Sequence, residues 1–300
     1  MPDDTFRPSD GPPICDYENS TYRTDFWEGR GREYEDSAEL LAIRRLLPPR
    51  GGRVLDIGAG FGRLADLYDG YDEVVLLDYS RSQLEYARER LGDARYVYVA
   101  ADIYHLPLVD AAVDTTVMVR VLHHLAEVPL AFGQIARVIR GGGTFLLEFA
   151  NKRHLKNLLR YALRRGPNPF DRQPYEFAPL HFDFHPAWVA ERLREAGMAP
   201  GERLSVSLLR HEFLKRRLPT DLLVRLDGVL QRPTAPLAPA PSVFVRSALP
   251  AGGEAAALPP REALLACPRC GVALESSPEA DLCPACGGRW PLVNGIHVFK

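Results

Sequence analysis

Apolar and amphipathic segments alternate between residues 40 and 150. Five segments are nearly continuous in apolar residues: RVLDIG, EVVLLDY, YVYVAAD, TTVMVRV and TFLLEFA. Helix-like segments stand before and between them, including LLAIRRLL, LADLYD, SQLEYARERL and PLAFGQIARVI. Strands that are apolar throughout are typical of a parallel sheet with helices on both faces. The pattern therefore predicts a βαβ architecture with right-handed crossovers.

The pattern changes after residue 150. It predicts a basic helix in NKRHLKNLLRYALRRG, a helix in WVAERLREAG, and late strands in LSVSLLRHEFL and PSVFVRSA, the first extending into a short helix around HEFLKRRL. The stretch SALPAGGEAAALPPREA is rich in Ala, Pro and Gly and has little to bury, which is typical of a linker. The predicted organisation is an N-terminal cap segment (1–39), an α/β domain (40–246), the linker (247–263) and a small C-terminal domain (264–300).

Composition and charge narrow the class of protein. The chain has 300 residues, 46% hydrophobic and 25% charged, which suits a globular protein with one large core. The formal net charge of −2 gives no global attraction to nucleic acid or to an anionic membrane. The first residues are acidic and polar, and nowhere do eighteen apolar residues run together, so we expect a cytoplasmic protein with no transmembrane segment.

Three glycines, Gly58, Gly60 and Gly62, follow the first predicted strand directly after Asp56. Glycines at a strand-to-helix turn let a ligand lie against bare backbone near the positive end of the following helix. The spacing is G-x-G-x-G, whereas dinucleotide sites use G-x-G-x-x-G. A dinucleotide oxidoreductase is therefore disfavoured, although the same physics applies.

The next two predicted strands also end in carboxylates. Asp78 ends the second strand, where a carboxylate can accept hydrogen bonds from both hydroxyls of a ribose. Asp102 ends the third strand and can accept from an adenine amino group, with Ile103 beside the ring. Solvated loop aspartates are common, but three successive strand tips that each carry one favour a nucleoside-containing ligand.

With these motifs in place, the chain resembles the class I S-adenosylmethionine-dependent methyltransferases, of the small-molecule type related to quinone biosynthesis. The resemblance covers about residues 22 to 246 and rests on VLDIGAGFGR, VVLLDYS, AADIYHLPL, VDTTVMVRVLHHL and IARVIRGGGTFLLEF. It implies a seven-stranded Rossmann-like sheet whose last strand is antiparallel, and S-adenosylmethionine bound across the first four strand tips. It also implies that the glycine loop faces the methionine part and ribose, Tyr79 the adenine, and Arg120 the methionine part.

Methyl transfer from a sulfonium mainly requires alignment of donor and acceptor and exclusion of water, so a catalytic base is optional. His123 and His124 follow the fourth strand and are the candidate bases; the alternative is a structural pair at a helix start. In HFDFHP, His181, Asp183 and His185 share one face if extended, a metal-like spacing that is also an ordinary helix start before Pro186. The aromatic residues Tyr22, Phe26, Trp27 and Tyr34 predict either a mobile cap or core packing.

The predicted basic helix carries six cationic residues with no acidic residue between them, and an apolar stripe opposite the charge. The cationic residues are Lys152, Arg153, Lys156, Arg160, Arg164 and Arg165, and the stripe is Leu155, Leu158, Leu159 and Ala162. Three interpretations stay open: a solvated surface helix, a site for an anionic lipid or membrane-borne substrate, and an RNA backbone contact.

Two C-x-x-C motifs near the end of the chain predict a structural zinc site. Their cysteines are Cys267, Cys270, Cys283 and Cys286. Four thiolates are a usual tetrahedral zinc set, and Gly271 and Gly287 suit the turn after each pair. The ending GGRWPLVNGIHVFK resembles small zinc-ribbon proteins that partner and activate translation-related methyltransferases, with His297 where those have proline.

The sequence thus predicts an α/β methyltransferase with a fused zinc ribbon that packs on or near it, using S-adenosylmethionine and Zn²⁺. The expected acceptor is a small or lipid-like metabolite. Two alternatives stay open: methylation of RNA or a translation factor, and a non-catalytic cofactor-binding scaffold. The fourth strand lacks the Asn/Asp-Pro-Pro-aromatic turn that holds a planar amino group, which disfavours adenine or glutamine N-methylation.

Overall fold

A computed structural model describes residues 11–19, 31–252 and 257–300. The helices of this part are α1 (Glu33–Leu46), α2 (Arg81–Leu91), α3 (Val128–Val138), α4 (Leu155–Ala162), α5 (Pro186–Glu195), α6 (Glu212–Arg217) and α7 (Thr220–Leu230). The strands are β1 (Gly51–Ile57), β2 (Tyr71–Asp78), β3 (Tyr96–Ala101), β4 (Val113–Met118), β5 (Ile139–Ala150), β6 (Tyr175–Ala178), β7 (His181–Asp183), β8 (Ala199–Val206), β9 (Ser242–Ala248), β10 (Glu275–Ser276), β11 (Ala280–Leu282), β12 (Arg289–Val293) and β13 (Ile296–Phe299). The predicted cap aromatics Tyr22, Phe26 and Trp27 lie outside the described residues.

One mixed sheet organises the chain, in the order β10-β11-β12-β13-β3-β2-β1-β4-β5-β9-β8. From β3 to β5 the neighbouring strands are parallel, whereas β9 runs antiparallel to both β5 and β8. These seven strands form the predicted sheet, including its antiparallel last strand. The prediction of seven strands in total is wrong, because four strands from residues 275–299 extend the same sheet beyond β3.

The core has two layers because the sheet is covered on both faces. Helices α3 and α5 pack on one face through residues such as Phe132 and Leu193. Helices α1, α2 and α7 cover the other face through residues such as Ile43, Leu84 and Leu223. The apolar strands are buried along most of their length, which is why their sequences lack polar alternation.

One local prediction is wrong, and one helix was missed. The segment LADLYD, predicted as a helix after the glycine loop, forms only a single 3₁₀ turn at Ala65–Leu67. The two late strands are joined by α6 and α7, and α7 was not predicted. Tyr34 lies in the core, where its hydroxyl donates to Asp227 (3.0 Å) and accepts from the Leu209 amide (3.0 Å).

The C-terminal segment packs directly on the α/β part. The strand β13 pairs in parallel with β3, with Ile296 opposite Tyr98 and Phe299 opposite Ala101. The Leu264 carbonyl accepts from the Val109 amide (3.0 Å), and Leu264 is buried against the same core layer as α3. Within the described ranges, no helix is long and apolar enough to cross a membrane.

Candidate functional site

The glycine loop after β1 takes a backbone conformation that favours glycine. Gly58, Gly60 and Gly62 all have positive φ, at 72°, 52° and 76°. A Cβ on Gly58 would lie 2.1 Å from the Val121 side chain, whereas a Cβ on Gly60 would meet no heavy atom within 4 Å. Gly58 is therefore needed for close packing, and Gly60 faces open space.

Asp78, at the end of the neighbouring strand β2, contacts the glycine loop. One carboxylate oxygen accepts from the Gly60 amide (2.8 Å), and the other accepts from the Ser80 amide (2.8 Å). Burial raises the pKa of Asp78 to about 6, although both amides and Lys300 lower it. Asp78 therefore positions the loop, and its oxygens have lone pairs left for further donors.

Asp56, at the end of β1, is buried and incompletely paired. Its Oδ2 atom has no hydrogen-bond partner among the described residues. Burial raises the pKa of Asp56 to about 7, while the Tyr68 hydroxyl and the Arg63 guanidinium lower it. An unpartnered carboxylate oxygen beside a cavity suits a positively charged ligand, because a buried charge is costly until it is paired.

A cavity opens at the carboxyl ends of β1, β2, β3 and β4, where parallel α/β sheets place their ligands. Eight of the predicted site residues line it: Asp56, Gly58, Gly60, Asp78, Tyr79, Ile103, Arg120 and His124. Three predicted residues are not on its wall: Gly62, Asp102 and His123. Most of the predicted set is therefore brought together at one end of the sheet.

Two of the residues off the wall make other contacts. A Cβ on Gly62 would lie 3.0 Å from Leu91 and 3.3 Å from Ala87, so this glycine permits close packing on α2. The Asp102 carboxylate accepts from the Tyr104 amide (2.8 Å) and lies 2.9 Å from His105 Nδ1. It thereby caps the short turn that places Ile103 on the wall.

Arg120 lines the cavity with a positive φ of 62°. Its amide donates to Glu148 (2.9 Å), and its guanidinium donates to the buried carboxylate of Glu39 on α1 (3.0 Å from Nε). Arg120 and Arg63 hold the pKa of Glu39 low, against the opposing effect of burial. The cavity wall is thereby tied to α1.

His124 lies on the cavity wall, and His123 lies next to it. His124 Nδ1 is 3.1 Å from the Leu180 carbonyl oxygen, and Nε2 is 3.1 Å from the Tyr17 hydroxyl. Because a carbonyl oxygen only accepts, we assign the proton to Nδ1 and the free lone pair to Nε2. Burial lowers the pKa of His124 and, more strongly, that of His123, whose ring centroid is 3.9 Å from that of His124.

Distant parts of the chain also reach the cavity and were missed from sequence. Tyr17 and Cys15 line its wall. Lys300, which follows β13, donates to the Tyr79 carbonyl (2.7 Å) and to Glu18 (2.8 Å), and its ammonium lies 4.6 Å from the Tyr79 ring centroid. No local pattern signals these contacts, because they depend on how β13 joins the sheet.

The four cysteines of the two C-x-x-C motifs converge. Their Sγ atoms all lie within 4.8 Å of one another, with Cys267 and Cys286 at 3.7 Å and Cys270 and Cys283 at 3.4 Å. A tetrahedral zinc with Zn–S bonds of about 2.3 Å requires sulfur separations of roughly 3.8 Å. The donor set and spacing therefore fit a structural zinc ion.

The backbone around the cysteines is organised as two equivalent turns. The Gly271 amide donates to the Cys267 carbonyl (2.8 Å), and the Gly287 amide donates to the Cys283 carbonyl (3.0 Å). Both glycines have positive φ, at 74° and 70°. Elsewhere in the segment, His297 Nδ1 lies 2.6 Å from the buried carboxylate of Asp281, which connects β13 to β11.

The arrangement of His181, Asp183 and His185 in HFDFHP is explained without a metal. His181 and Asp183 lie on β7. His185 caps α5, accepting from the Ala187 amide through Nδ1 (3.1 Å), and Pro186 is the first helical residue. This is the helix-start arrangement.

Comparison with known proteins places residues 55–147 in the family described as "Methyltransferase domain". A demethylmenaquinone methyltransferase of Roseiflexus sp. is 33% identical over 132 residues, which are 42% of this chain and 53% of that protein. The 27-O-demethylrifamycin SV methyltransferase of Amycolatopsis mediterranei is 33% identical over 131 residues, 41% of this chain and 48% of that protein. The chain spans about half the length of the curated relatives it matches. The prediction of a methyltransferase domain is confirmed for residues 55–147.

Solved structures show the same fold at low identity. An S-adenosylmethionine-dependent methyltransferase from Listeria monocytogenes matches with a TM-score of 0.53 and 14% identity, over 72% of this chain and 98% of that one. A chain of the complex between the Haloferax volcanii Trm112 methyltransferase activator and a methyltransferase matches with a TM-score of 0.52 and 20% identity, over 74% and 95%. The predicted α/β methyltransferase fold is confirmed.

Proposed function

We propose that this chain transfers a methyl group from S-adenosylmethionine to a small or lipid-like acceptor. The observation that carries the proposal is the cavity at the strand tips, with an open glycine at position 60, the Asp78 carboxylate on its wall and the unpartnered Asp56 oxygen. In S-adenosylmethionine, the ribose hydroxyls can donate to Asp78, and the positively charged amino and sulfonium groups suit the unpartnered Asp56 oxygen. The open backbone at Gly60 leaves room for the ligand. The relatives named as small-molecule methyltransferases support this class of acceptor.

In this proposal each wall residue has a role toward the cofactor. Asp78 accepts from the ribose hydroxyls while it keeps the Gly60 amide in place. Tyr79 and Ile103 flank the adenine, and Asp102 orients Ile103 from behind. Arg120 and the glycine loop border the methionine part. When bound, the cofactor supplies a methyl group on an already activated leaving group.

His124 is the proposed general base for an acceptor that must lose a proton. Its neutral ring presents the Nε2 lone pair toward the Tyr17 hydroxyl, and its lowered pKa keeps it neutral. When bound, the cofactor would supply its methyl group to the acceptor oxygen or carbon, and the wall residues would hold the two in line. The acceptor proton then passes to Nε2. His123 does not line the cavity, so we assign it to positioning of the His124 ring.

We also propose that the four cysteines bind zinc and that the zinc ribbon, residues 264–300, stabilises the cofactor site. The four thiols fit one tetrahedral ion, and so short a segment depends on metal for its fold. The ribbon reaches the site through β13, which pairs with β3, and through Lys300, which holds Tyr79 and Glu18. The Haloferax match, whose complex contains a methyltransferase activator, supports an activating role.

The first experiment is calorimetric titration of the full chain with S-adenosylmethionine and S-adenosylhomocysteine, with NAD and FAD as controls. We expect micromolar binding of the two sulfur ligands and none of the controls. Binding of NAD or FAD instead, or of none of the four, would refute the cofactor assignment. An acceptor screen divided among small metabolites, lipids and RNA then separates the proposed acceptor class from RNA methylation.

A further inference from the structure

Three leucines on and just after α4 face outward. Leu155 and Leu159 on the helix and Leu163 at its C-terminal end follow one another at intervals of four, and they are 50%, 57% and 66% exposed. The buried residue of the helix is Asn157, which lies on another face and donates to the Lys152 carbonyl (3.1 Å). A surface helix ordinarily turns its apolar stripe toward the core. In the part of the chain that the structure describes, these three leucines cover no core.

The exposed leucines belong to a larger surface with the same mixture of side chains. We define the basic–apolar surface by its apolar members Leu155, Leu159, Leu163, Phe170 and Phe177 and its basic members Arg153, Lys156, Arg160, Arg164 and Arg165. Phe170 and Phe177 are each 56% exposed. No acidic residue lies between positions 152 and 165, so the cationic charge of this segment is not neutralised along the chain.

Buried Lys152 fixes the loop that carries Phe170. Its ammonium donates to the carbonyls of Asp171 (3.1 Å) and Gln173 (2.7 Å). Phe170 packs edge-on against Tyr161 of α4 with ring centroids 6.0 Å apart, and the Arg153 guanidinium lies 5.9 Å from the Phe170 centroid. The helix and the loop therefore present one ordered surface.

The surface adjoins the acceptor side of the cavity through the hairpin of β6 and β7. The Leu180 carbonyl of this hairpin accepts from His124. The His181 ring centroid lies 4.8 Å from that of His124 and 5.8 Å from that of Phe177. A row of three rings thus connects the cavity wall with an exposed aromatic side chain of the surface.

We propose that the basic–apolar surface docks the protein on a membrane that contains anionic lipid, from which a lipid-like methyl acceptor enters the cavity. This inference rests on the proposed function for the identity of the site. Aliphatic side chains interleaved with lysine and arginine suit the boundary between acyl chains and anionic headgroups. Single-stranded RNA is bound by cations and aromatic stacking, which gives exposed leucines no role. Charge and apolar exposure together therefore favour the membrane.

Vesicle sedimentation of the full-length protein tests this inference. We use vesicles of phosphatidylcholine alone and vesicles that also contain phosphatidylglycerol, and we expect binding to the second kind. Leu163→Glu should weaken this binding about tenfold or more, because it places a carboxylate in the apolar contact. The pair Lys156→Glu and Arg160→Glu should weaken it similarly. Val229→Glu on α7 is the matched control, since Val229 is 73% exposed and lies outside the surface.

Two results would overturn the inference. One is failure of the unmodified protein to sediment with anionic vesicles. The other is a purely cationic site. In that case the charge-reversal pair weakens vesicle binding, Leu163→Glu leaves it unchanged, and single-stranded RNA competes with the vesicles. Thermal unfolding verifies that each variant is folded. Titration with S-adenosylhomocysteine in the absence of lipid tests the proposed function separately, so that either can fail without the other.

Discussion

Alanine at Gly60 and alanine at Gly92 form a matched pair that separates backbone strain from cofactor exclusion. Both glycines have positive φ, at 52° and 71°, and at both a Cβ would meet no heavy atom within 4 Å. Gly92 ends α2 and does not line the cavity, whereas Gly60 lies on its wall. The folded-state cost is therefore backbone strain alone, about 1 to 2 kcal/mol at Gly60 and at least as much at Gly92, whose ψ of −166° is essentially confined to glycine.

The assay combines thermal unfolding with calorimetric titration of S-adenosylhomocysteine. We expect both variants to lose stability, and Gly92→Ala to lose at least as much as Gly60→Ala, since the Gly92 backbone conformation is essentially confined to glycine. Only Gly60→Ala should lose affinity, by about tenfold or more, which corresponds to about 1.4 kcal/mol. Gly58→Ala sets the upper limit for instability, because its Cβ would also collide with Val121 at 2.1 Å. Equal cofactor affinity in the Gly60 and Gly92 variants would refute the assignment of this loop to the cofactor.

Four further predictions test other parts of the site. Asp56→Asn should stabilise the cofactor-free protein most at pH 8. The pKa of Asp56 is raised to about 7 in the folded state, against about 4 in the unfolded state. The contribution of Asp56 to folding stability is therefore complete below pH 4 and is lost as the pH rises through 7. Thermal unfolding at pH 5 and 8 measures this, and a gap from wild type that does not widen at pH 8 would contradict it. Lys300→Met should weaken S-adenosylhomocysteine binding about fivefold, about 1 kcal/mol, with zinc content unchanged and with Arg289→Met as the control; unchanged affinity would disconnect the ribbon from the site. Chelation should remove zinc, measured by elemental analysis, and shift the fluorescence of buried Trp290, whereas absence of zinc from the purified protein would refute the metal assignment. His124→Gln should slow transfer to a proton-losing acceptor about 100-fold while cofactor affinity stays within about threefold, and a rate that stays the same would exclude a base at this position.

Periodicity predicted the central sheet because burial leaves a direct mark on sequence. The strand β3, YVYVAA, is apolar throughout because both of its faces pack against the core layers that the helices form. The four cysteines could also be identified as candidate zinc ligands, since metal ligation demands fixed residue types at short spacing. The segment around Ala65–Leu67 was predicted as a helix because its apolar pattern fits a helical turn. Tertiary packing, which the pattern does not show, limits it to one 3₁₀ turn.

Contacts between distant segments could not be predicted from local sequence. Asp102 occupies a strand tip as expected, but its carboxylate turns to the Tyr104 amide, a capping choice that the acidic residue type does not reveal. Tyr17 lines the cavity, and Lys300, from the opposite end of the described chain, contacts the wall residue Tyr79. The outward face of α4 was also hidden, because the spacing of Leu155 and Leu159 is the same whether the stripe faces core or solvent.

The position of β13 explains why a zinc ribbon would influence a site that it does not form. Without β13, the outer edge of β3 would expose unpaired amides and carbonyls along the apolar sequence YVYVAA, which is a template for aggregation. The pairing of Phe299 with Ala101 then places the next residue, Lys300, at the carboxyl end of the sheet, where Ala101 and Tyr79 line the cavity. Covering the edge and bracing the cofactor wall are thus consequences of one strand register. Loss of zinc should therefore lower solubility and cofactor affinity together, whereas Lys300→Met should lower only the affinity.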